Sequence, residues 1–253
     1  MQKLSVTIIT LNEEANIHAC LESVKWADEI LVSDSGSSDK TVQICKEYGA
    51  KVFNDVWFGF GKQKNLIVSR ARNNWILNID ADERVTPALR KEMESVLNNG
   101  GCDGYNIPRK NFFGGRWIKY CGWYPDYNLR FYKKDKGQFN ERDVHEAVQI
   151  EGKAGYLKTP LEHYTYKDIS DYLKRMDRYS VLAAEEMFKN GKNAGLLDLT
   201  LRPCWTFLKM LFLQKGFLEG YMGVILSGLY SSYTFAKYAK LMEMSKKEVR
   251  SEK

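Results

Sequence analysis

Two aspartates one residue apart, Asp80 and Asp82, close the stretch Trp-Ile-Leu-Asn-Ile-Asp-Ala-Asp-Glu at residues 75–83. The apolar run from Trp75 to Ile79 reads as a buried strand. Side chains two apart on an extended chain point the same way, so both carboxylates can aim at one point just past the strand end. A hard divalent cation such as Mg²⁺ or Mn²⁺ takes oxygen ligands there and shares its shell with a substrate phosphate. The same residues also fit a plainer arrangement, a strand followed by a solvated acidic turn that caps a helix near Thr86 and Pro87.

Other elements must bring partners to these carboxylates. Residues 4–11 are β-branched and apolar and predict a strand ending at Asn12-Glu13-Glu14. Helical spacing of Ile17, Leu21 and Val24 follows. A second short strand at 29–33 runs into Asp34-Ser-Gly-Ser-Ser-Asp39, a turn-forming loop whose Asp39 can cap the next helix. A third strand at 51–53 and a helix at 62–72 precede the Trp75 strand. This alternation signals an α/β fold with an open, mostly parallel sheet, in which ligands bind beyond the carboxyl ends of the strands. Asn12-Glu13, Asp34 and Asp80/Asp82 all sit at such ends. Asp34 can accept the imide N–H of a uracil or serve as an Asx-turn residue. The backbone of residues 10–13 can flank a base, and Lys62 and Lys64 can reach phosphates.

The ordered motifs Ser5-Val-Thr-Ile-Ile-Thr-Leu-Asn-Glu-Glu, Asp34-Ser-Gly-Ser-Ser-Asp-Lys-Thr, Gln63-Lys-Asn65 and Asp80-Ala-Asp-Glu83 resemble family 2 glycosyltransferases of the GT-A fold. Asp126-Tyr-Asn-Leu-Arg-Phe-Tyr132 and Val144-His-Glu146 are similar to the bacterial lipopolysaccharide-core subgroup, the Kdo or heptose β-glucosyltransferases. The resemblance covers about residues 4–170. It implies nucleotide contacts at Thr10, Leu11, Asn12, Glu13 and Asp34, and an approach to the nucleotide and diphosphate by Lys64 and Asn65. It places Asp80 and Ala81 near the ribose and gives the metal to Asp82, with Asp80 beside it. The donor implied is a UDP-hexose, and the reaction inverts the anomeric carbon, with a base on the acceptor hydroxyl and a divalent metal on the diphosphate.

Many members take the base from a Glu-Asp pair, which this chain lacks. The first acid in a comparable place is Glu146, the expected base, with Asp126 as second choice. His145 completes the metal shell or touches the diphosphate. His163 approaches the metal or caps a turn. The aromatic and basic segment from Asn111 to Tyr124, with Arg109, Lys110, Arg116 and Lys119, suits an acceptor carrying sugar rings and acidic groups.

The 253 residues, 44% hydrophobic and 28% charged, describe a folded protein with a real core. Five cysteines without metal-type spacing point to a reducing cytoplasm, and no signal peptide is expected ahead of Met1-Gln2-Lys3. Residues 202–253 carry 9 basic and 4 acidic side chains, so the excess positive charge lies in the tail. Aromatic and aliphatic content there favours an anionic membrane over nucleic acid. The expected organisation is a GT-A catalytic domain at 1–167 and a helical region at 168–253 whose helices lie on the inner face of the cell membrane, cap the core or dimerise. The acceptor would be a lipid-linked saccharide such as lipopolysaccharide core. Two alternatives stand beside this reading. One is a non-catalytic membrane-surface module that binds nucleotide or saccharide, which rests on the missing Glu-Asp pair. The other is a nucleotidyltransferase, against which the acidic, glycine-free Thr10-Leu-Asn-Glu-Glu14 argues.

Overall fold

The computed structural model describes residues 2–140 and 147–251. The first elements are β1 (Leu4–Thr10), α1 (Glu14–Val24), β2 (Glu29–Asp34), α2 (Thr41–Glu47), β3 (Lys51–Asn54), α3 (Phe60–Ser69), β4 (Trp75–Asp80), β5 (Glu83–Arg84) and α4 (Pro87–Asn99). They are followed by β6 (Gly104–Phe113), β7 (Arg116–Trp117), β8 (Asp126–Lys133), β9 (Gly137–Phe139), β10 (Val148–Ile150), β11 (Ala154–Tyr156) and β12 (Leu161–Tyr166). Three helices complete the chain, α5 (Ile169–Lys189), α6 (Leu196–Leu208) and α7 (Tyr221–Ser251).

The main sheet runs in the order β3-β2-β1-β4-β8-β6-β12-β5. Its first four strands are parallel, as the alternation of strands and helices predicts. Beyond β4 the pairing turns antiparallel, at β8 and then β6. Every residue of β1 is buried, as expected of a central strand covered on both faces.

The two faces follow the period of two along the strands. Leu4, Val6 and Ile8 of β1 and Trp75, Leu77 and Ile79 of β4 face one core, against Ile17 and Leu21 of α1 and Leu89 and Met93 of α4. Ile76 and Tyr132 face the other, against Ile67 and Val68 of α3. This alternation directs Asn78 and Asp80 toward the α3 side. On β8 it directs Arg130 the same way as Tyr132. Thr86 caps α4 by accepting from the Leu89 amide at 3.1 Å, with Pro87 at the first helical position, where its missing N–H costs nothing.

Two compact units emerge, one of Met1–Lys110 with Pro125–Tyr164, the other of Asn111–Tyr124 with Thr165–Lys253. The second unit buries Phe113, Ile118 and Trp123 against Tyr172, Met210 and Leu226. Its helix α6 begins at Leu196, ahead of the apolar run that starts at Pro203, because the Asp198 carboxylate accepts the Gly195 amide at 2.9 Å and fixes the helix start upstream. A π turn (Lys209–Leu213) and a 3-10 turn (Gly216–Glu219) join α6 to α7. Gly223 admits no side chain, since a Cβ there would lie 1.8 Å from the Gly216 carbonyl oxygen. No helix among the described residues is long and apolar enough to cross a membrane.

Candidate active site

Thr10 and Asp34 are side by side in the β1–β2 register, each the last residue of its strand. Asp34 is 2% exposed, and its carboxylate accepts the amides of Gly36 at 3.0 Å and Ser37 at 2.8 Å together with the Ser37 hydroxyl. It is an Asx-turn residue, and the turn it holds bends through Gly36 at φ 97°, a conformation glycine adopts without strain. Asn12, at φ 54°, donates its amide to Ser37 Oγ at 2.8 Å and accepts from the Ser38 amide at 2.8 Å. The Glu13 amide reaches Thr41 Oγ1 at 2.8 Å. The loops after β1 and β2 are therefore stitched together, with Leu11 exposed between them. Within this frame the hydroxyls of Thr10 and Ser35 are buried and have no hydrogen-bond partner among the described residues. Buried hydroxyls are nearly always paired, so these two, one at the end of β1 and one just past β2, stand out beside Asp34.

At the end of β4, Asp80 is held between two cations, Lys64 Nζ at 2.9 Å and Arg130 Nη2 at 2.6 Å. Lys64 is 1% exposed, so the α3 side of the sheet carries a buried ammonium paired with this carboxylate. Burial works against the charged form of Asp80, but Arg130 and Lys64 outweigh it and hold the carboxyl well below the usual carboxylate range. Glu83, 0% exposed, continues the chain of charges. Its carboxylate accepts from the Asp80 amide at 2.9 Å, from Arg130 at 3.1 Å and from Arg109 at 3.3 Å. Arg109 stands opposite Asp126 in the β6–β8 register and binds it through Nε at 3.0 Å and Nη2 at 2.6 Å. Asn128 adds a third bond to Asp126 at 3.0 Å. Cations and carboxylates thus alternate from Lys64 through Asp80, Arg130, Glu83 and Arg109 to Asp126.

Asp82 turns elsewhere. Its carboxylate lies 3.5 Å from His163 Nε2, and the pairing of His163 with Glu83 across β5 and β12 puts the imidazole there. Ala81 between the two aspartates is buried, its carbonyl accepting from Arg84 at 2.9 Å. No group of three or more acidic, histidine or cysteine side chains among the described residues is arranged to hold a cation. Asp82 with His163 nevertheless offers one oxygen and one nitrogen ligand of the kinds Mn²⁺ accepts, in a shell that diphosphate oxygens and water would complete.

Asn65 pairs both ends of its amide with the backbone of Phe139, at 2.9 Å each, and so fixes the strand β9. His145 and Glu146 lie outside the described residues. Of the cations expected to meet an acceptor, Arg109 is taken by Glu83 and Asp126, while Arg116 binds Glu219 at 2.9 Å. Phe113 and Trp123 of the aromatic segment are core residues of their unit, whereas Trp117 and Tyr124 form an edge-on pair at its half-buried margin. Sequence reading missed Arg130, Glu83 and Ser35. An arginine inside the otherwise apolar stretch Leu129-Arg-Phe-Tyr132 of β8 is the one signal that a buried acid must await it.

The sequence profile of glycosyl transferase family 2 matches residues 5–165. An uncharacterized glycosyltransferase of Rickettsia typhi is 33% identical over 98% of this chain and 89% of its own length. The lipopolysaccharide core biosynthesis glycosyltransferase LpsC of Rhizobium meliloti is 30% identical over 92% of this chain and 91% of its own. Among solved structures, residues 1–349 of S. aureus TarS in complex with UDP-GlcNAc superpose with a TM-score of 0.51 at 18% identity, covering 97% of this chain and 92% of that one, a likeness of fold. A profile that spans most of the chain and two relatives that each align with more than nine-tenths of it agree on one assignment: this protein is a glycosyltransferase and belongs to family 2.

Proposed function

We propose that the enzyme transfers a hexose from a UDP-sugar to a lipid-linked saccharide of the lipopolysaccharide-core type, with inversion, while bound to the inner face of the cell membrane. The observation that carries the donor reading is the pair of orphaned hydroxyls, Thr10 and Ser35, beside Asp34 at the ends of β1 and β2. A uracil presents one imide N–H flanked by two carbonyl oxygens, and a carboxylate beside two hydroxyl donors is its complement. TarS, which shares the fold, was solved with UDP-GlcNAc. The acceptor reading draws on LpsC, named for lipopolysaccharide core biosynthesis.

Asp82 and His163 would hold a divalent cation, which supplies Lewis-acid neutralisation of the diphosphate charge. Lys64 and Arg130 fix Asp80, so that its position is set before the donor arrives. The base removes the proton from an acceptor hydroxyl. The oxygen attacks the anomeric carbon from the face opposite the nucleotide, and the bond to the diphosphate breaks with its electron pair leaving on UDP. Asp126 already accepts from a guanidinium and an amide, which weakens it as a proton acceptor, and the reading gives the base to Glu146.

The test is thermal stabilisation by uridine, adenosine, guanosine and cytidine diphosphates and their sugars, with and without Mn²⁺. A ligand at a hundred times its Kd adds about 2.7 kcal/mol, a rise of roughly 5–10 °C for a chain of this size. A Mn²⁺-dependent rise with UDP and one UDP-hexose is expected. A rise with another nucleotide and none with UDP would overturn the donor assignment.

A further inference from the structure

Half of the large apolar side chains that are exposed anywhere among the described residues fall between Leu196 and Val224. On α6 and the π turn they recur at Leu197, Leu201, Trp205, Leu208 and Phe212, spacings that lay them along one side of a helix. The 3-10 turn adds Phe217 and Leu218, 53% and 52% exposed. The charges of this stretch are sorted. Asp198 is paired with Arg202, and Glu219 is 5% exposed and turned inward, while Lys209 and Lys215 are exposed. An apolar stripe with cations beside it and no outward anion of its own complements an anionic lipid surface.

The inner side of the same turn grips a different segment. Glu219 accepts from Arg116 Nη2 at 2.9 Å and from the amides of Lys119 at 2.8 Å and Tyr120 at 3.0 Å. The Arg116 guanidinium also reaches the Glu219 carbonyl at 3.1 Å, and the Cys121 amide donates to the Gln214 carbonyl at 3.0 Å. Glu219 is the single acidic residue between 203 and 236, in a run otherwise apolar and basic. Its carboxylate therefore does local work: it ties residues 116–120 to a turn whose outer side carries Phe217 and Leu218.

We infer that the turn at 214–220 is a lipid-sensing latch: Phe217 and Leu218 dock on an anionic bilayer, and Glu219 passes the resulting order to residues 116–120. Glu219 acts as a positioning residue in this scheme. The inference rests on the membrane-bound reading of the enzyme and adds to it the surface used and what that surface controls. Burying the turn in the headgroup region restricts its opening. The Lys119 and Tyr120 amides are bonded to it, so their exchange with solvent slows with it.

The experiment measures hydrogen exchange and cosedimentation of the full chain with phosphatidylethanolamine–phosphatidylglycerol vesicles and with phosphatidylcholine vesicles. Native protein, the double variant Phe217→Ser/Leu218→Ser and Glu219→Ala are compared, with sedimentation velocity and circular dichroism as controls. Native protein is expected to bind the anionic vesicles, and exchange at Lys119 and Tyr120 to slow about tenfold. The double variant alters two exposed side chains, so it should fold as native, bind at least tenfold more weakly and lose the slowing. Glu219→Ala, which removes the oxygen that accepts both amides, should keep vesicle binding and lose the slowing at Lys119 and Tyr120. Native-like binding by the double variant overturns the docking surface and leaves the membrane reading standing. Absence of binding by native protein removes that reading, and the latch with it. A native dimer that the double variant converts to monomer assigns the face to a second copy instead. Unchanged slowing in Glu219→Ala refutes the latch.

Discussion

Lys64 and Glu83 are 1% and 0% exposed, whereas Leu197 and Leu201 in the other unit are 70% and 62% exposed. The two units invert the ordinary rule of burial in opposite directions. Around Asp80 the protein takes charge out of water and compensates it group by group. Along α6 it leaves hydrocarbon in water. Apolar residues at the first set of positions and polar ones at the second would be the choice for stability alone. The charged cluster pairs its charges within its own chain, whereas on the docking proposal the stripe is completed by a surface outside the chain.

The largest expected effect lies in the charged cluster. Arg130→Met leaves Glu83 wholly buried and Asp80 with Lys64 alone, and should cost about 3–5 kcal/mol in urea unfolding at neutral pH. The pH dependence has a definite sign. Asp80 has its carboxyl lowered in the folded state, so its contribution is complete above the unfolded value of about 4 and is lost as pH falls through the folded value. The gap between native and Arg130→Met should therefore narrow in acid. A gap that stays constant well below pH 4, about the unfolded value, would mean that Arg130 acts by packing and not through Asp80.

Asp82→Ala should reverse the balance between stability and activity. Asp82 stands outside the alternating chain, with His163 as its neighbour. Its loss should lower turnover by about 10²–10³, the range for a group that serves charge developing on the leaving oxygen, while unfolding stays near native. The Mn²⁺-dependent stabilisation by UDP should disappear as well. Metal-stimulated activity equal to native would take the cation away from this residue. His163→Ala is a smaller perturbation of the same pair and should weaken apparent Mn²⁺ affinity about tenfold, read as a rise in the Mn²⁺ concentration for half-maximal turnover.

What was legible in the sequence divides along the same line. Apolar runs of alternating strand and helix revealed β1 to β4, and with them the strand ends that place Thr10 beside Asp34. Those are local patterns. The partners of Asp80 were not legible, because Arg130 reaches it only through the antiparallel register of β4 and β8, two strands far apart in the chain. The antiparallel register of β6 and β8 ties Asp126 to Arg109, which no spacing in the sequence announces. In the helical unit, the apolar stretch with its lysines was readable as amphipathic. Pro203 concealed the true start of α6, since proline ordinarily interrupts a helix and here sits inside one. Glu219 could have been noticed as a lone acid among apolar residues, but its partners come from residues 116–120, about a hundred positions away.

The smallest effect on folding should come from the stripe, and that smallness is the point of the test. Trp205 is 59% exposed, so Trp205→Ser should leave unfolding within about 0.5 kcal/mol of native. An indole that enters the headgroup region contributes roughly 1.5–3 kcal/mol of transfer, which predicts that vesicle affinity falls tenfold or more. A side chain that matters for partitioning and not for folding is what an externally completed surface requires. If Trp205→Ser instead destabilised the fold by several kcal/mol and left vesicle affinity alone, α6 would have to be read as core, and the two units would no longer differ in kind.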